Sequence, residues 1–145
     1  MLNLSRYRIL AIGKIKKDWI QSGISVYLNR LKGLTITELR DSTTIKEASA
    51  IRSSIKPNEL LILLNEKGIQ LSSLQFAERL NNMGNQRLVF AIGGANGLHT
   101  ELQDICYWNL SLSPLTFPHE LARLILVEQI YRAQSILTHS PYHRS

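Results

Sequence analysis

Two short apolar runs constrain the fold of this chain most strongly. They are Glu59–Leu64 (ELLILL) and Arg87–Ile92 (RLVFAI). A strand that is apolar at consecutive positions is buried on both faces, which is typical of a parallel sheet covered by helices. The two runs therefore predict an α/β fold.

The other segments alternate between strand and helix patterns. Further strands are predicted at Arg8–Gly13, Leu34–Leu39 and Tyr107–Leu112, and helices at Asp18–Leu31, Ile45–Ile55, Ser72–Leu80, Thr100–Ile105 and Pro118–Leu137. This alternation predicts a parallel-rich sheet of about five strands with helices on both faces. Asp18 is the predicted N-cap of the first helix. Because the 145 residues contain no repeat and no linker, we expect a single domain over residues 1–145.

The last predicted helix is apolar on most sides of its axis. Its apolar positions are Leu121, Leu124, Ile125, Leu126, Val127, Ile130, Tyr131, Ala133, Ile136 and Leu137. A helix with this pattern packs inside a larger protein or between subunits. For a chain of this size we favour a twofold homodimer contact over complete burial within one chain.

The excess of basic over acidic residues lies entirely in the first half of the chain. Residues 1–72 contain twelve Lys or Arg and six Asp or Glu, whereas residues 73–145 contain five of each sign. This distribution indicates a polyanionic partner, RNA or DNA, since Lys and Arg release counterions from phosphates. A solvated basic face is the alternative. The candidate RNA contacts, on charge alone, are Lys14, Lys16, Lys17, Arg30 and Lys32.

Neither a membrane span nor a metal site is expected. No apolar stretch approaches the roughly 20 residues that a bilayer requires, and no cluster of His, Asp and Glu suggests metal ligands. The single cysteine, Cys106, cannot form an internal disulfide, which fits a reducing compartment and predicts a cytoplasmic protein. We interpret Cys106 as a small core residue.

A glycine cluster follows the fourth predicted strand. Gly93, Gly94 and Gly97 let a ligand approach the backbone closely, although a tight turn without a ligand has the same pattern. The dinucleotide fingerprint is not met, because its first glycine would fall at Ile92. The Gly-Lys-Ser/Thr sequence of a nucleotide phosphate-binding loop does not occur either. A nicotinamide cofactor is therefore not expected.

The carboxyl-terminal segment contains three consecutive residues with complementary chemistry. Tyr142, His143 and Arg144 provide stacking, proton transfer and phosphate binding. A frayed chain end with polar residues is the alternative. His119, at the start of the last helix, is more typical of a capping or packing residue than of a base.

Four ordered blocks of the sequence have a recognisable pattern. They are residues 89–98 (VFAIGGANGL), 115–119 (LTFPH), 127–133 (VEQIYRA) and 141–144 (PYHR). Together they closely resemble the RlmH family, the bacterial 23S rRNA pseudouridine N3-methyltransferases of the SPOUT superfamily. The resemblance also includes Gly13-Lys14 and Trp19, so it covers essentially the whole chain.

This resemblance implies a homodimer of SPOUT α/β-knot fold, with a carboxyl-terminal trefoil knot that binds S-adenosylmethionine. Family members methylate N3 of a pseudouridine in the 23S rRNA of the assembled ribosome. The positions that the resemblance assigns to the cofactor are Leu64, Gly93, Leu112, Ser113, Pro114, Leu115, Thr116 and Phe117. It assigns catalysis to Tyr142, His143 and Arg144, which in the family complete the site of the partner subunit.

The chain departs from the family pattern at two places. The stretch between Leu39 and Leu60 is several residues shorter than usual, and the family's common Leu-Asp after the third strand is Leu64-Asn65 here. The second departure removes a negative charge near the cofactor site. Two other functions fit the same sequence: a non-catalytic basic module that binds the ribosome or other RNA, and a SPOUT enzyme acting on another RNA such as tRNA.

Overall fold

In the computed structural model, which describes residues 1–144, five strands form one sheet. They are β1 (Tyr7–Ile12), β2 (Thr35–Leu39), β3 (Glu59–Gln70), β4 (Arg87–Ile92) and β5 (Trp108–Ser111). Their order is β2-β1-β4-β3-β5, and every neighbouring pair is parallel. The predicted α/β fold with a parallel sheet of about five strands is confirmed.

Helices cover both faces of the sheet. They are α1 (Asp18–Leu28), α2 (Thr44–Ser54), α3 (Ser73–Asn82) and α4 (His119–Leu137). Helices α1, α3 and α4 pack on one face, whereas α2 and a short 3₁₀ helix, Thr100–Asp104, pack on the other. Within residues 1–144, no helix combines the length and the apolar character that crossing a membrane requires.

Strand β4 shows why apolar and polar residues do not alternate in the two apolar runs. Leu88 and Phe90 belong to the core layer beneath α1, α3 and α4, whereas Val89 and Ala91 belong to the layer beneath α2. All four side chains are completely buried. Strands β1 and β3 cover the two edges of β4, and the helices on each side of the sheet cover its two faces, so neither face is open to water.

The last helix, α4, is packed on several sides within the chain. It lies against α1 and α3 and contacts β4, and its Leu126 and Ile130 are completely buried. A Cβ at Gly23 of α1 would lie 3.1 Å from Leu124 Cδ1, so α1 and α4 approach each other closely. The other apolar side chains of α4 are buried or half-buried in the single chain. The homodimer contact stays a prediction.

The structure corrects the predicted limits of the first helix. Lys17 is the N-cap residue and makes no side-chain cap, whereas Asp18 is the first helical residue. There its carboxylate is near the positive end of the helix dipole. The helix ends at Leu28, three residues before the predicted Leu31, and the chain then turns through Gly33, whose φ is 104°.

Two further predictions near β5 are corrected. The helix predicted at Thr100–Ile105 is a 3₁₀ helix, Thr100–Asp104. Cys106 is half-buried at the edge of the smaller core layer rather than within the core, and its Sγ donates to the carbonyl of Gln103 at 3.3 Å. Burial raises the pKa of the Cys106 thiol, which therefore stays protonated at neutral pH.

Strand β3 is longer than its apolar run predicts and extends to Gln70. Leu64 and Ile69 both pair with Leu110 of β5, so residues 65–68 protrude as a bulge. The apolar pattern ends where the bulge begins, which is why the extension was not predicted. The bulge lies at the carboxyl end of the predicted strand, beside the ends of β4 and β5.

Candidate active site

A cleft opens at the carboxyl ends of β3, β4 and β5, beside the first turn of α4. Its volume is about 730 Å³. The lining residues come from three segments, within 64–66, 92–98 and 110–119, together with Ala122. Ligands of parallel α/β sheets bind at this edge. The cleft is therefore the candidate active site.

Most of the positions predicted to bind the cofactor line this cleft. They are Leu64, Gly93, Leu112, Ser113, Leu115, Thr116 and Phe117. Pro114 is not among the lining residues, and its side chain is exposed beside them. The segment that connects β5 to α4 thus forms one wall of the cleft.

The glycine cluster forms a tight turn in a second wall. The Gly97 N–H donates to the carbonyl of Gly94 at 3.0 Å. Gly97 has a φ of 75°, a backbone conformation that residues with a side chain rarely adopt. At Gly93 a Cβ would lie 2.7 Å from the carbonyl carbon of Gly97. The lack of side chains is therefore a steric requirement of the turn, and it leaves the backbone accessible from the cleft.

Glu66 is the one carboxylate among the described residues that line the cleft. It lies in the β3 bulge, where its Oε2 accepts a hydrogen bond from Thr116 Oγ1 at 2.6 Å and its backbone carbonyl accepts one from Ser111 Oγ at 3.0 Å. These contacts hold a negative charge one residue beyond Asn65. Glu66 was not among the predicted site residues, although a carboxylate directly after the end of a buried strand is a signal that could have found it.

His119 also lines the cleft, at the first position of α4. The N-cap residue is Pro118, which was predicted inside the first turn, and no side chain caps the helix. His119 therefore does not cap the helix, whereas the interpretation as a packing residue is not contradicted, because His119 is half-buried in the cleft wall. Within residues 1–144, no group of three or more His, Cys, Asp and Glu side chains is placed to hold a metal ion.

The carboxyl-terminal tail, residues 138–144, turns back onto α4. The Ser140 N–H donates to the carbonyl of Ser135 at 2.8 Å, and His139 adopts a φ of 58°, a common way to end a helix. Tyr142 then packs edge-on against Tyr131, with their ring centroids 4.7 Å apart. The tail is thus docked on the helix that precedes it.

The Tyr142 hydroxyl belongs to a hydrogen-bonded cluster between α1 and α4. It donates to Glu128 Oε1 at 3.0 Å and lies 3.1 Å from the Tyr27 hydroxyl. Glu128 also forms an ion pair of 2.6 Å with Arg132, whose guanidinium carbon lies 4.8 Å from the Tyr142 ring centroid. Burial, together with the hydrogen bonds to Tyr27 and Glu128, raises the pKa of Tyr142. The phenol therefore stays protonated and serves as a donor.

His143 is held by Arg132 in a defined tautomer. Its Nδ1 lies 3.1 Å from Arg132 Nη1. Because a guanidinium only donates hydrogen bonds, Nδ1 is the acceptor, and the proton of the neutral ring is on Nε2. Arg144 is exposed and forms no ion pair with any other described residue.

The tail and the cleft of one chain do not meet. The cleft reaches α4 at Ala122, whereas the tail contacts α4 between Glu128 and Arg132. Six to ten residues of helix separate these contacts from Ala122, which is about 9 to 15 Å along the axis. The structure therefore brings together the predicted cofactor positions, but it does not bring them to Tyr142, His143 and Arg144 of the same chain.

Comparison with known proteins identifies the family. A family model described as "Predicted SPOUT methyltransferase" matches residues 5–143. This chain belongs to the SPOUT methyltransferase family. The matched region of the SPOUT chain includes the whole cleft and the tail as far as His143.

Named relatives of this SPOUT chain match it over its full length. It is 61% identical over 145 residues to the protein named Ribosomal RNA large subunit methyltransferase H of Prochlorococcus marinus (strain MIT 9211), with 100% of both chains covered. It is 60% identical to the protein of the same name from Synechococcus sp. (strain CC9605), with 99% of this chain and 100% of that protein covered. The resemblance to the RlmH family is confirmed.

Solved structures share the SPOUT fold at low sequence identity. A probable methylase family protein from Haemophilus influenzae Rd KW20 superposes with a TM-score of 0.61 at 11% identity, over 98% of this chain and 72% of that one. The SpoU methyltransferase AviRb from Streptomyces viridochromogenes, in complex with the cofactor AdoMet, gives a TM-score of 0.50 at 13% identity, over 88% of this chain and 57% of that one. This chain thus spans little more than half of AviRb.

Proposed function

We propose that this chain is an S-adenosylmethionine-dependent methyltransferase that modifies N3 of a pseudouridine in the 23S rRNA of the assembled ribosome. The observation that carries the proposal is its 61% identity, over the full length, to a protein named as a large-subunit ribosomal RNA methyltransferase. The cleft and the tail supply two complementary sets of groups, one for a methyl donor and one for an RNA nucleotide.

The cleft suits S-adenosylmethionine in size and chemistry. Its volume of about 730 Å³ is within the range of small-molecule sites. The donor has no phosphate, so it requires apolar walls for adenine and backbone groups for the adenine edge. Gly93 provides accessible backbone, and Glu66 provides a negative charge for a cationic ligand. The residues that we assign to cofactor binding are Leu64, Gly93, Leu112, Ser113, Pro114, Leu115, Thr116 and Phe117, with Glu66 added.

The cofactor, when bound, supplies a methyl group on a positively charged sulfonium. The protein aligns N3 of the base in line with that methyl group. Transfer of that methyl group to N3 would require N3 to lose its proton. His143 assists the loss of this proton, Arg144 binds a phosphate or the charge developing on a base carbonyl, and Tyr142 stacks on or positions the base.

A homodimer in which each tail enters the partner's cleft reconciles this mechanism with the geometry. Within one chain the tail contacts α4 about 9 to 15 Å from the cleft along the helix axis. While Arg132 donates to His143 Nδ1, the ring has no free nitrogen lone pair and cannot accept a proton. Movement of the tail into the partner's cleft would release Nδ1 and make His143 competent as a base.

Two further parts of the proposal follow from the family. We place the carboxyl-terminal trefoil knot at the cleft, and the likeness of the fold to SpoU methyltransferases supports this placement. We also place the protein in the cytoplasm, where bacterial ribosomes work. A knot at this place would build the site from the loops after β4 and β5.

The proposal is tested by mass spectrometry of 23S rRNA from a strain that lacks the gene. We expect one pseudouridine to lose a methyl group at N3, and purified protein with S-adenosylmethionine to restore it on ribosomes from that strain. An unchanged rRNA accompanied by a missing tRNA methyl group would favour a SPOUT enzyme for tRNA. If calorimetry detected no S-adenosylmethionine binding, the non-catalytic basic module would be the better description.

The substitution Glu66→Gln tests the proposed role of this carboxylate. Glutamine keeps the shape and can still accept from Thr116, but it removes the negative charge facing a cationic ligand. We expect the Kd for S-adenosylmethionine to rise up to about fivefold, the effect of the roughly 1 kcal/mol that an exposed charge pair contributes at most. Calorimetry measures this change.

The matched control for Glu66→Gln is Glu78→Gln. Glu78 is an exposed carboxylate on α3, outside the cleft, and its replacement changes the net charge equally. Its Kd should equal that of the wild type. Equal Kd values for the Glu66→Gln variant and the wild type would remove Glu66 from the cofactor site.

A further inference from the structure

The loop between β1 and α1 carries a dense and unpaired positive charge. Lys14, Lys16 and Lys17 lie within four consecutive residues, and all three side chains are exposed. None of their ammonium groups forms an ion pair with another residue in the described part of the chain. Three lysines of the chain's basic half are therefore available to an anionic partner.

Two buried charged residues of α4 hold the backbone of this loop. The Glu120 carboxylate, only 8% exposed, accepts hydrogen bonds from the backbone N–H groups of Lys16 at 2.9 Å and Lys17 at 3.2 Å. Burial opposes ionisation, but these two donors outweigh it and keep the pKa of Glu120 below its ordinary value. The carboxylate therefore stays charged and fixes the loop at neutral pH.

The second buried residue, Arg123, holds the start of the same loop. It is 2% exposed, donates to the carbonyl of Gly13 at 2.9 Å, and forms an ion pair of 2.6 Å with Glu38 at the neighbouring strand β2. A buried charge that loses its partner is strongly destabilising, so the contacts of Glu120 and Arg123 hold the loop backbone in one conformation. The lysine side chains thus project from a backbone that is fixed before any ligand arrives.

The loop borders the cleft. Glu120 directly follows His119 at the start of α4, and Arg123 directly follows Ala122. His119 and Ala122 line the cleft. On the other side, a Cβ at Gly94 in the glycine turn would lie 3.0 Å from a side-chain carbon of Ile12, the last residue before the loop. The three lysines therefore lie close enough to the cleft to contact a macromolecule whose reacting group occupies it.

We infer that Lys14, Lys16 and Lys17 form a preorganised phosphate-binding platform that positions the backbone of the substrate RNA beside the cleft. This inference rests on the proposed function. It selects three of the five basic residues that charge alone identified as candidate RNA contacts. Lysine ammonium groups bind phosphates as point charges and do not read base edges, so the platform adds affinity and register rather than sequence recognition. Glu120 and Arg123 act as positioning residues for it.

The test compares two triple variants that lose the same charge. In the loop variant Lys14, Lys16 and Lys17 are replaced by glutamine. In the control variant Arg52, Lys56 and Arg87 are replaced by glutamine. These three are exposed and lie at the end of α2 or at the amino-terminal starts of β3 and β4, on the opposite edge of the sheet.

Binding to ribosomes from a strain that lacks the gene is measured over a range of salt, about 50 to 200 mM. The slope of log K against log salt is negative, and each lost phosphate contact reduces its magnitude by roughly 0.7 to 0.9. We expect the slope of the loop variant to be shallower than that of the wild type by about 2 to 3, and the control variant to keep the wild-type slope. Both variants should bind S-adenosylmethionine like the wild type in calorimetry.

Equal slopes for the loop variant and the wild type would overturn the inference while leaving the methyltransferase proposal intact. The same holds if the loop variant loses binding to phosphatidylglycerol vesicles but not to ribosomes, because the platform would then serve a membrane. If wild-type protein bound neither ribosomes nor S-adenosylmethionine, the proposed function itself would fail, and the inference with it.

Discussion

Replacing Gly93 with alanine is expected to weaken S-adenosylmethionine binding about tenfold or more, the effect of the roughly 1–3 kcal/mol that overpacking a closely packed site costs. The added Cβ would lie 2.7 Å from the carbonyl carbon of Gly97 and 2.8 Å from its oxygen. Both are backbone atoms, so the glycine turn must move rather than a flexible side chain. Calorimetric titration with S-adenosylmethionine measures the loss.

The control for this variant is Gly84→Ala, after α3. Gly84 has a φ of 60°, but no atom lies within 4 Å of the position of an added Cβ. Alanine there strains only its own backbone, at a cost of about 1 kcal/mol in the free energy of unfolding. We expect Gly84→Ala to lower Tm slightly and to keep the wild-type Kd. A Gly93→Ala variant that bound the cofactor normally would place the cofactor outside this cleft.

Removing residues 141–145 is expected to lower kcat for ribosome methylation about 100-fold or more, the usual contribution of a positioned acid–base group. The truncation deletes all three proposed catalytic residues, while the cleft of the same chain keeps every described lining residue. We therefore expect the Kd for S-adenosylmethionine to change much less than kcat. A methylation assay with labelled cofactor, combined with calorimetry, separates the two effects.

Single substitutions separate chemistry from docking in the tail. Truncation also removes Tyr142, which packs on Tyr131 and bonds to Glu128, so some loss of Tm is expected. His143→Ala and Arg144→Ala leave those contacts in place. They should lower kcat without lowering Tm appreciably. Full activity in the truncated chain would contradict the catalytic assignment of the tail.

The strands and helices were largely predictable because their patterns are local. The runs at Glu59–Leu64 and Arg87–Ile92 are apolar on both faces, and the sheet buries both faces of β4. The extension of β3 was not predictable, because the polar bulge at 65–68 interrupts the pattern before the chain pairs again with β5. The strand order depends on pairings between distant segments, and no local pattern specifies them.

The cofactor positions were predicted from family resemblance rather than from periodicity. A glycine cluster after a buried strand is compatible with a turn that binds no ligand, so Gly93 alone did not predict a cofactor site. The resemblance added the 112–117 segment, and the structure places most of it in the same cleft. Glu66 was missed because its role depends on a bulge that brings it to Thr116. The trefoil knot, likewise, stays a prediction from the family.

Complementation between two inactive subunits tests the composite site most directly. One subunit lacks residues 141–145, and the other carries Gly93→Ala with an intact tail. If each tail serves the partner's cleft, a co-expressed heterodimer has one intact site, and random pairing should restore about a quarter of the wild-type activity. If the tail served the cleft of its own chain, neither subunit could contribute a complete site, and the mixture would stay as inactive as its components.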